Sequence, residues 1–396
     1  MTGKELYCRA FQCAFGFGAR FLPWRKAECI SGAGSLQKVP ALLAQHGGKK
    51  PLIVASKRQS QTEDFRAMTA QLTEFELFSQ VTPNPRCSTV DEIAQLYRRS
   101  GCDSLIAIGG GSPIDAAKAA AARIARPNRS VAQLGGLLKV RRKIPTFIAV
   151  PTTAGTGSET TIAAVVTDEA HHKYAINDLC LVPHYAVLDP KLTVSLSSAV
   201  TAQTGMDALT HAVEAYLSCH MTTKETDKLA ESATVTIFRY LEHACKQDDD
   251  LEARQALLTA SYQAGLAFTR ACVGNVHAIA HTLGGLYDVP HGLANAVLLP
   301  VILRDYGETV YAKLARLAEL TGVCSTGSTA QKANAFIDEI FEMNRRMGIG
   351  TGFDCIREKD LPQMAAWADA EANPVYPVPV IYHRDDFIRI LKQVRQ

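Results

Sequence analysis

The chain has 396 residues, 47% of them hydrophobic and 20% charged, the make-up of an ordinary globular protein about twice the usual domain size. Lys and Arg total 42 against 39 Asp and Glu, and a net charge of +3 creates no broad positive field, which excludes nucleic acid as a partner. No apolar run approaches the roughly 20 residues needed to cross a bilayer, which excludes a membrane-spanning role.

In chain order, the first feature is the apolar stretch from Phe11 to Trp24, which follows Lys4 and Arg9. Arg20 interrupts it, Arg25 closes it and no small-residue cleavage pattern follows, so it reads as a packed helix or an oligomer contact rather than an export signal. Eleven cysteines run from Cys8 to Cys355 without a Cys-x-x-Cys pair. Neither a disulfide framework nor a thiolate zinc site is signalled, and a reduced, cytoplasmic protein is expected.

Short apolar runs then alternate with helical stretches: PLIVAS (51–56), FELFSQV (75–81), DSLIAIGG (103–110), PTFIAVP (145–151) and HYAVLDP (184–190). Continuous apolar strands separated by helices indicate a parallel sheet covered on both faces. Beyond Leu192 the segments become long, Ala/Leu-rich and helical in period. The expected fold is an α/β domain with a Rossmann-like parallel sheet over residues 1–191, followed by an all-α domain over 192–396.

Gly109, Gly110, Gly111 and Ser112 stand between a buried strand and an Ala-rich helix. Glycines let the backbone approach a ligand, and the helix N-terminus offers N–H groups and a positive dipole end, so a diphosphate suits the turn; a merely tight turn is the plain alternative. Gly-Gly-Gly-Ser-x-x-Asp lacks the third glycine of the G-x-G-x-x-G fingerprint. A second turn, PTTAGTGSE from Pro151 to Glu159, follows the next buried strand, so both line the crevice where open α/β sheets bind ligands.

Asp207 and His211 lie four residues apart on a helical stretch, one turn apart on one face. His277, His281 and His291 then fall within fifteen residues of an otherwise apolar segment, the first two again one turn apart. Burying so many imidazoles without a shared partner would leave unpaired polar groups at about 1–3 kcal/mol each, which favours a metal over satisfied core residues. One carboxylate with imidazoles and no thiolate suits Fe²⁺ or Zn²⁺, with a position open to a substrate oxygen.

GGGSPIDAAK, PTTAGTGSE, the Asp207/His211 pair and HAIAHTLGGLYDVPHGLANAVLLP, in that order, resemble the iron-containing (group III) alcohol dehydrogenases from about residue 28 onward. The resemblance implies an N-terminal nucleotide-binding domain and a C-terminal helical domain, with nicotinamide and metal meeting in the cleft. It implies metal ligands Asp207, His211, His277 and His291, whereas helical spacing alone would pair His277 with His281. His281 would instead face the substrate pocket as a proton relay. Cofactor contacts are implied at Gly109, Gly110, Gly111 and Ser112, with Asp115 nearby, at Thr152, Thr153 and Gly155, and at Asn84 and Lys173. Relatives that prefer NAD tend to carry an Asp at the end of the first nucleotide strand, where this chain has Ser56 beside Lys57 and Arg58. A hydroxyl and two cations remove the repulsion of a 2′-phosphate, so NADP as well as NAD is expected, exposed loop charges being the alternative.

The expected reaction is reversible hydride transfer between NAD(P) and a primary alcohol or aldehyde in a homodimer or larger homo-oligomer. Two other readings share the fold. One is a metal- and NAD-dependent lyase of the dehydroquinate synthase type, which would need several cations near the metal motifs, where Arg270 is the nearest candidate. The other is a nucleotide sensor without catalysis, which the intact ligand set opposes.

Overall fold

The five apolar runs become strands of one parallel sheet in the computed structural model, which describes residues 2–169 and 173–396. Its strands are β1 (Glu28–Ser31), β2 (Pro51–Ala55), β3 (Glu76–Phe78), β4 (Ser104–Gly109), β6 (Thr146–Pro151) and β9 (Tyr185–Leu188). They lie in the order β1-β9-β6-β4-β2-β3, with every neighbouring pair parallel. A smaller sheet joins β5 (Gly136–Leu137), β8 (Lys173–Asn177) and β7 (Ala163–Thr167). Neither β1 nor this small sheet carries a sequence signal. β1 is a four-residue edge strand, mostly exposed, so nothing obliges it to be apolar.

The period of two along a strand explains how one sheet feeds two cores. Leu105 and Ala107 of β4 join Leu52, Val54, Phe147 and Ala149 on one face, packed under α4 (Cys87–Arg99) and α5 (Gly111–Ala125). Ile106 and Ile108 join Ile53, Ile148 and Val150 on the other, against α2 (Val39–Gln45) and α3 (Glu63–Thr69). Each fully buried aliphatic side chain contributes about 1.5–3 kcal/mol, so a charge at Ile106 would undo a core. Nearly every alanine of α5 is buried, and the small side chain is what lets this helix lie close to the strands. A short helix, α6 (Val131–Leu134), completes this part.

The helical part consists of α1 (Gly3–Ala19), α7 (Ser198–Leu217), α8 (Lys224–Lys246), α9 (Leu251–Ala271), α10 (Asn275–Tyr287), α11 (His291–Tyr306), α12 (Glu308–Thr321), α13 (Thr329–Arg346), α14 (Leu361–Ala372) and α15 (Arg384–Gln393). Ser197 caps α7 by accepting from the Val200 amide, and from Gly205 to Leu217 every residue of the helix is buried. Its polar residues therefore sit inside the protein and require partners there.

Contacts divide the chain into two units that differ from the division at residue 191/192 expected above in three places: the N-terminal stretch, the first half of α9, and a main boundary that falls at 195/196. Pro23–Ser195 with Asp249–Tyr262 forms the α/β unit, and the N-terminal stretch ending at Leu22 joins Leu196–Asp248 and Gln263–Gln396 in the helical unit. The N-terminal helix belongs with the other helices because the Arg9 guanidinium donates to the carbonyls of Val378 (2.6 Å) and Pro379 (2.7 Å), and Gln12 to that of Tyr376 (2.8 Å). The first half of α9 joins the α/β unit, where the Tyr262 hydroxyl donates to Ala27 O at 2.7 Å. Such side-chain-to-backbone ties leave no trace in hydrophobic period.

Candidate functional site

In the α/β unit the chain runs outward from β2 to β3, returns to β4, and then runs the other way to β6 and β9. The direction reverses between β2 and β4, and ligands of open sheets bind outside the carboxyl ends at such a point. Ser56 follows β2 there, and Gly109 to Ser112 follow β4. Gly109 is in register with Pro151, and the Thr152 amide donates to Gly109 O at 2.9 Å, so the two Gly-rich turns lie side by side. A Cβ on Gly109 would stand 2.5 Å from Pro113 Cγ, and one on Gly111 2.9 Å from Thr156 Cγ2. Gly109 is thus demanded by the first turn of α5, and Gly111 by the closeness of the two Gly-rich turns. Gly110 is the N-cap of α5 and has no side chain to occupy the first-turn N–H groups, leaving them for a ligand.

The remaining nucleotide candidates occupy varied settings. Asp115 accepts from Ser158 Oγ (2.6 Å) and the Val165 amide (3.3 Å), fastening α5 to the 151–159 turn and β7. Thr152 and Gly155 are buried, and Thr153 Oγ1 lies beside Gly110. Asn84 has φ +56°, a left-handed conformation that Asn tolerates better than most residues. Lys173 opens β8 opposite Thr167. Lys57 is exposed, whereas the Arg58 guanidinium donates to Ser195 O at 2.8 Å.

In the helical unit Asp207, His211, His277 and His291 each offer one ligand atom, and these atoms lie within 4.8 Å of one another. Asp207 Oδ1 is 3.4 Å from His291 Nε2 and 4.0 Å from His277 Nε2. Ligands about 2.1 Å from a tetrahedral cation stand roughly 3.4 Å apart, so the spacing fits Zn²⁺ or Fe²⁺ after small adjustment. The His211 ring is stacked between Phe268 (4.2 Å) and His277 (4.5 Å). Burial, and then the neighbouring histidines, hold the His277 imidazole well below its ordinary pKa. It is neutral with a lone pair to give, as a metal ligand must be.

Glu214, which spacing did not single out, fixes that lone pair on Nε2. Its carboxylate accepts His277 Nδ1–H at 2.5 Å, together with the amides of Gly274 (2.9 Å) and Val276 (2.8 Å). It therefore also satisfies the N-terminus of α10. Burial pushes the Glu214 carboxyl up to about 8, against the downward pull of these amides. A cation next to His277 would favour its ionised form. Asp207, His211 and Glu214 stand at positions 0, 4 and 7 of α7, one helical face, a signal the sequence did contain.

Asn295 is the other missed residue. Fully buried and one turn beyond His291, it donates from Nδ2 to Asp207 Oδ1 at 2.6 Å and lies 3.2 Å and 3.1 Å from Nε2 of His277 and His291. Because a carboxylate only accepts, the Asp207 contact fixes which end of the amide faces the cluster.

His281 is distinct from the four. Its Nδ1 is 2.6 Å from Glu371 Oε1, which also accepts the Tyr376 hydroxyl at 2.7 Å. Its ring stacks on His291 at 5.1 Å and meets His277 edge-on at 6.0 Å.

The helical unit thus carries a cluster of potential metal ligands, and the α/β unit carries two adjacent Gly-rich turns at the carboxyl ends of its parallel strands. Residues 27–190 match the iron-containing alcohol dehydrogenase family and residues 201–394 match the C-terminal family of Fe-containing alcohol dehydrogenases. The chain is 36% identical over 357 residues to the NAD-dependent methanol dehydrogenase of Bacillus methanolicus, covering 87% of this chain and 93% of that protein. It is 38% identical over 337 residues to the 1,3-propanediol dehydrogenase of Klebsiella pneumoniae, covering 83% and 87%. The crystal structure of a 1,3-propanediol oxidoreductase superposes with a TM-score of 0.89 at 34% identity, covering 95% of this chain and 100% of that one. The chain belongs to the iron-containing alcohol dehydrogenase family and is an oxidoreductase that interconverts alcohols and aldehydes. The lyase and sensor readings are set aside with that result.

No helix among the described residues is long and apolar enough to cross a membrane, and none of the eleven cysteines, all among those residues, is in a disulfide.

Proposed function

We propose that the protein transfers hydride reversibly between NAD(P) and a small or medium aliphatic primary alcohol or its aldehyde. In this reading Asp207, His211, His277 and His291 hold one Fe²⁺ or Zn²⁺. The observation that carries it is the convergence of one carboxylate and three imidazoles to within 4.8 Å in a family of alcohol dehydrogenases. The bound cation supplies Lewis-acid stabilisation of negative charge developing on the alcohol oxygen, and the bound nicotinamide supplies the hydride acceptor. Glu214 holds His277 in the binding tautomer, and His281 takes the alcohol proton. The first-turn amides of α5 with Ser112, the 151–155 turn, Asn84 and Lys173 hold the dinucleotide, and Asp115 keeps the second turn in place.

NADP is used as well as NAD, because Ser56 carries no charge against a 2′-phosphate and Lys57 stands exposed beside it. The reduced thiols support a reducing, cytoplasmic setting, and exposed Leu6, Tyr7 and Phe17 on α1, with exposed Phe21 just beyond it, support a homodimer or larger assembly.

The test is an alcohol and aldehyde panel run with both cofactors on protein reconstituted separately with Fe²⁺ and Zn²⁺. Turnover is expected with either metal, and a strong preference for NADH over NADPH in kcat/KM would remove the Ser56 argument. His277→Ala is expected to lose metal and turnover together, and full activity in a metal-free His277 variant would refute the assignment.

A further inference from the structure

Two His–Glu pairs stand one turn apart on α10, and they differ in burial. In His277–Glu214 the side chains are 2% and 5% exposed, whereas in His281–Glu371 they are 22% and 28% exposed. A sealed pair cannot exchange a proton with water, and an open one can. The two pairs share their hydrogen-bond chemistry but suit different tasks.

We propose that Glu371, braced by Tyr376, is the positioning residue that sets the tautomer and ring orientation of His281 and thereby makes His281 Nε2 the atom that receives the alcohol proton. The proposal rests on the reading of His281 as the proton relay. A carboxylate oxygen only accepts, so the 2.6 Å contact places a hydrogen on His281 Nδ1 and leaves the lone pair of the neutral ring on Nε2. Stacking on His291, with 17° between the ring planes, restrains the plane of the imidazole. It does not choose between the two edges of the ring, because a half-turn of the side chain preserves the stack. The bond to Glu371 makes that choice. Glu371 Oε1 is itself held by two donors, His281 Nδ1–H from α10 and the Tyr376 hydroxyl from the segment that follows α14.

In the oxidation direction the hydroxyl O–H bond breaks, its electron pair stays on oxygen, and the proton joins Nε2. The carbon–hydrogen bond breaks with its electron pair, the hydride goes to the nicotinamide, and the carbonyl forms. The resulting imidazolium keeps Nδ1–H directed at Glu371 and returns its proton to water through the exposed side of the pair. Reduction runs through the same transfers reversed.

The experiment compares Glu371→Leu, Glu371→Gln, His281→Ala and the double variant His281→Ala/Glu371→Leu as zinc-loaded enzymes. Glu371→Leu is expected to lower kcat about 10–100-fold, less than the roughly 10²–10⁴-fold of full acid–base assistance because His281 itself remains, with zinc content and alcohol KM unchanged. Glu371→Gln, whose amide oxygen still accepts Nδ1–H, is expected to recover part of the loss. In the His281→Ala background Glu371→Leu is expected to add nothing. Imidazole nitrogen NMR, with the His281 signals identified by their absence in His281→Ala, is expected to show protonated Nδ1 in the unsubstituted enzyme and mixed tautomers in Glu371→Leu. Unchanged kcat or an unchanged tautomer in Glu371→Leu, or additive losses in the double variant, overturns the proposal. If His281→Ala itself keeps full kcat, the relay reading fails first and takes this proposal with it.

Discussion

Glu214 shows how much a single buried side chain can be asked to do. One carboxylate ends the N-terminus of α10, orients His277, and sits on the same face of α7 as Asp207 and His211. Removing its charge while keeping its shape separates these tasks. In Glu214→Gln the amide oxygen can still accept from a backbone N–H, but the NH₂ can donate to Nδ1 and draw the hydrogen of the imidazole onto Nε2, where it blocks metal binding. The helix should survive and the metal should not: affinity is expected to fall about 10–100-fold, the usual effect of losing an outer partner of a ligand histidine. Metal content after graded dialysis against a chelator measures this, with circular dichroism as the control for helix content. Retention equal to that of the unsubstituted protein would mean that His277 needs no orienting partner.

At the scale of elements, the paired turns after β4 and β6 couple close packing to nucleotide affinity. Gly109 faces the Pro113 ring, which is rigid and set in the first turn of α5, so a methyl group placed 2.5 Å from it forces the turn to open. Overpacking of this kind costs about 1–3 kcal/mol. Gly109→Ala is therefore expected to raise the dinucleotide KM roughly tenfold, since each 1.4 kcal/mol is a factor of ten. Metal content should stay unchanged, because all four candidate ligands belong to the other unit. A variant that binds dinucleotide as well as the parent would show that the turn adapts and that its glycines serve folding alone. The same elements show what periodicity can reveal. Strands buried on both faces advertise themselves as continuous apolar runs, as β2, β4, β6 and β9 do, and the fifth run is the short, part-exposed edge strand β3. β1 and the β5-β8-β7 sheet do not, being short or part-exposed.

For the whole molecule, what could be read from the sequence depended on whether partners share an element. Asp207 with His211 declares itself by a one-turn spacing, and Glu214 and Asn295 were open to the same reasoning, at one and the same face of α7 and one turn beyond His291. Spacing could not decide whether His281 ligates alongside His277, and burial with the choice of carboxylate partner now separates them. Glu371 is ninety residues from His281, and a glutamate near the end of a helix reads as solvated until the fold brings the two together. The candidate ligands have the same long reach, spread over α7, α10 and α11, three helices that only the folded chain assembles. A cation held by all three binds the native state and not the unfolded one, so it should stabilise the fold by about 2.7 kcal/mol when present at a hundred times its Kd. For a unit of this size that corresponds to a rise in Tm of roughly 5–10 °C on loading with Zn²⁺ or Fe²⁺. Scanning calorimetry of chelator-treated and reloaded protein measures it. Asp207→Ala should lose the response to added metal while keeping the fold, because the carboxylate is replaced by a small helix-favouring side chain. An equal rise in Asp207→Ala would place the stabilising cation elsewhere and separate the four-residue cluster from metal binding.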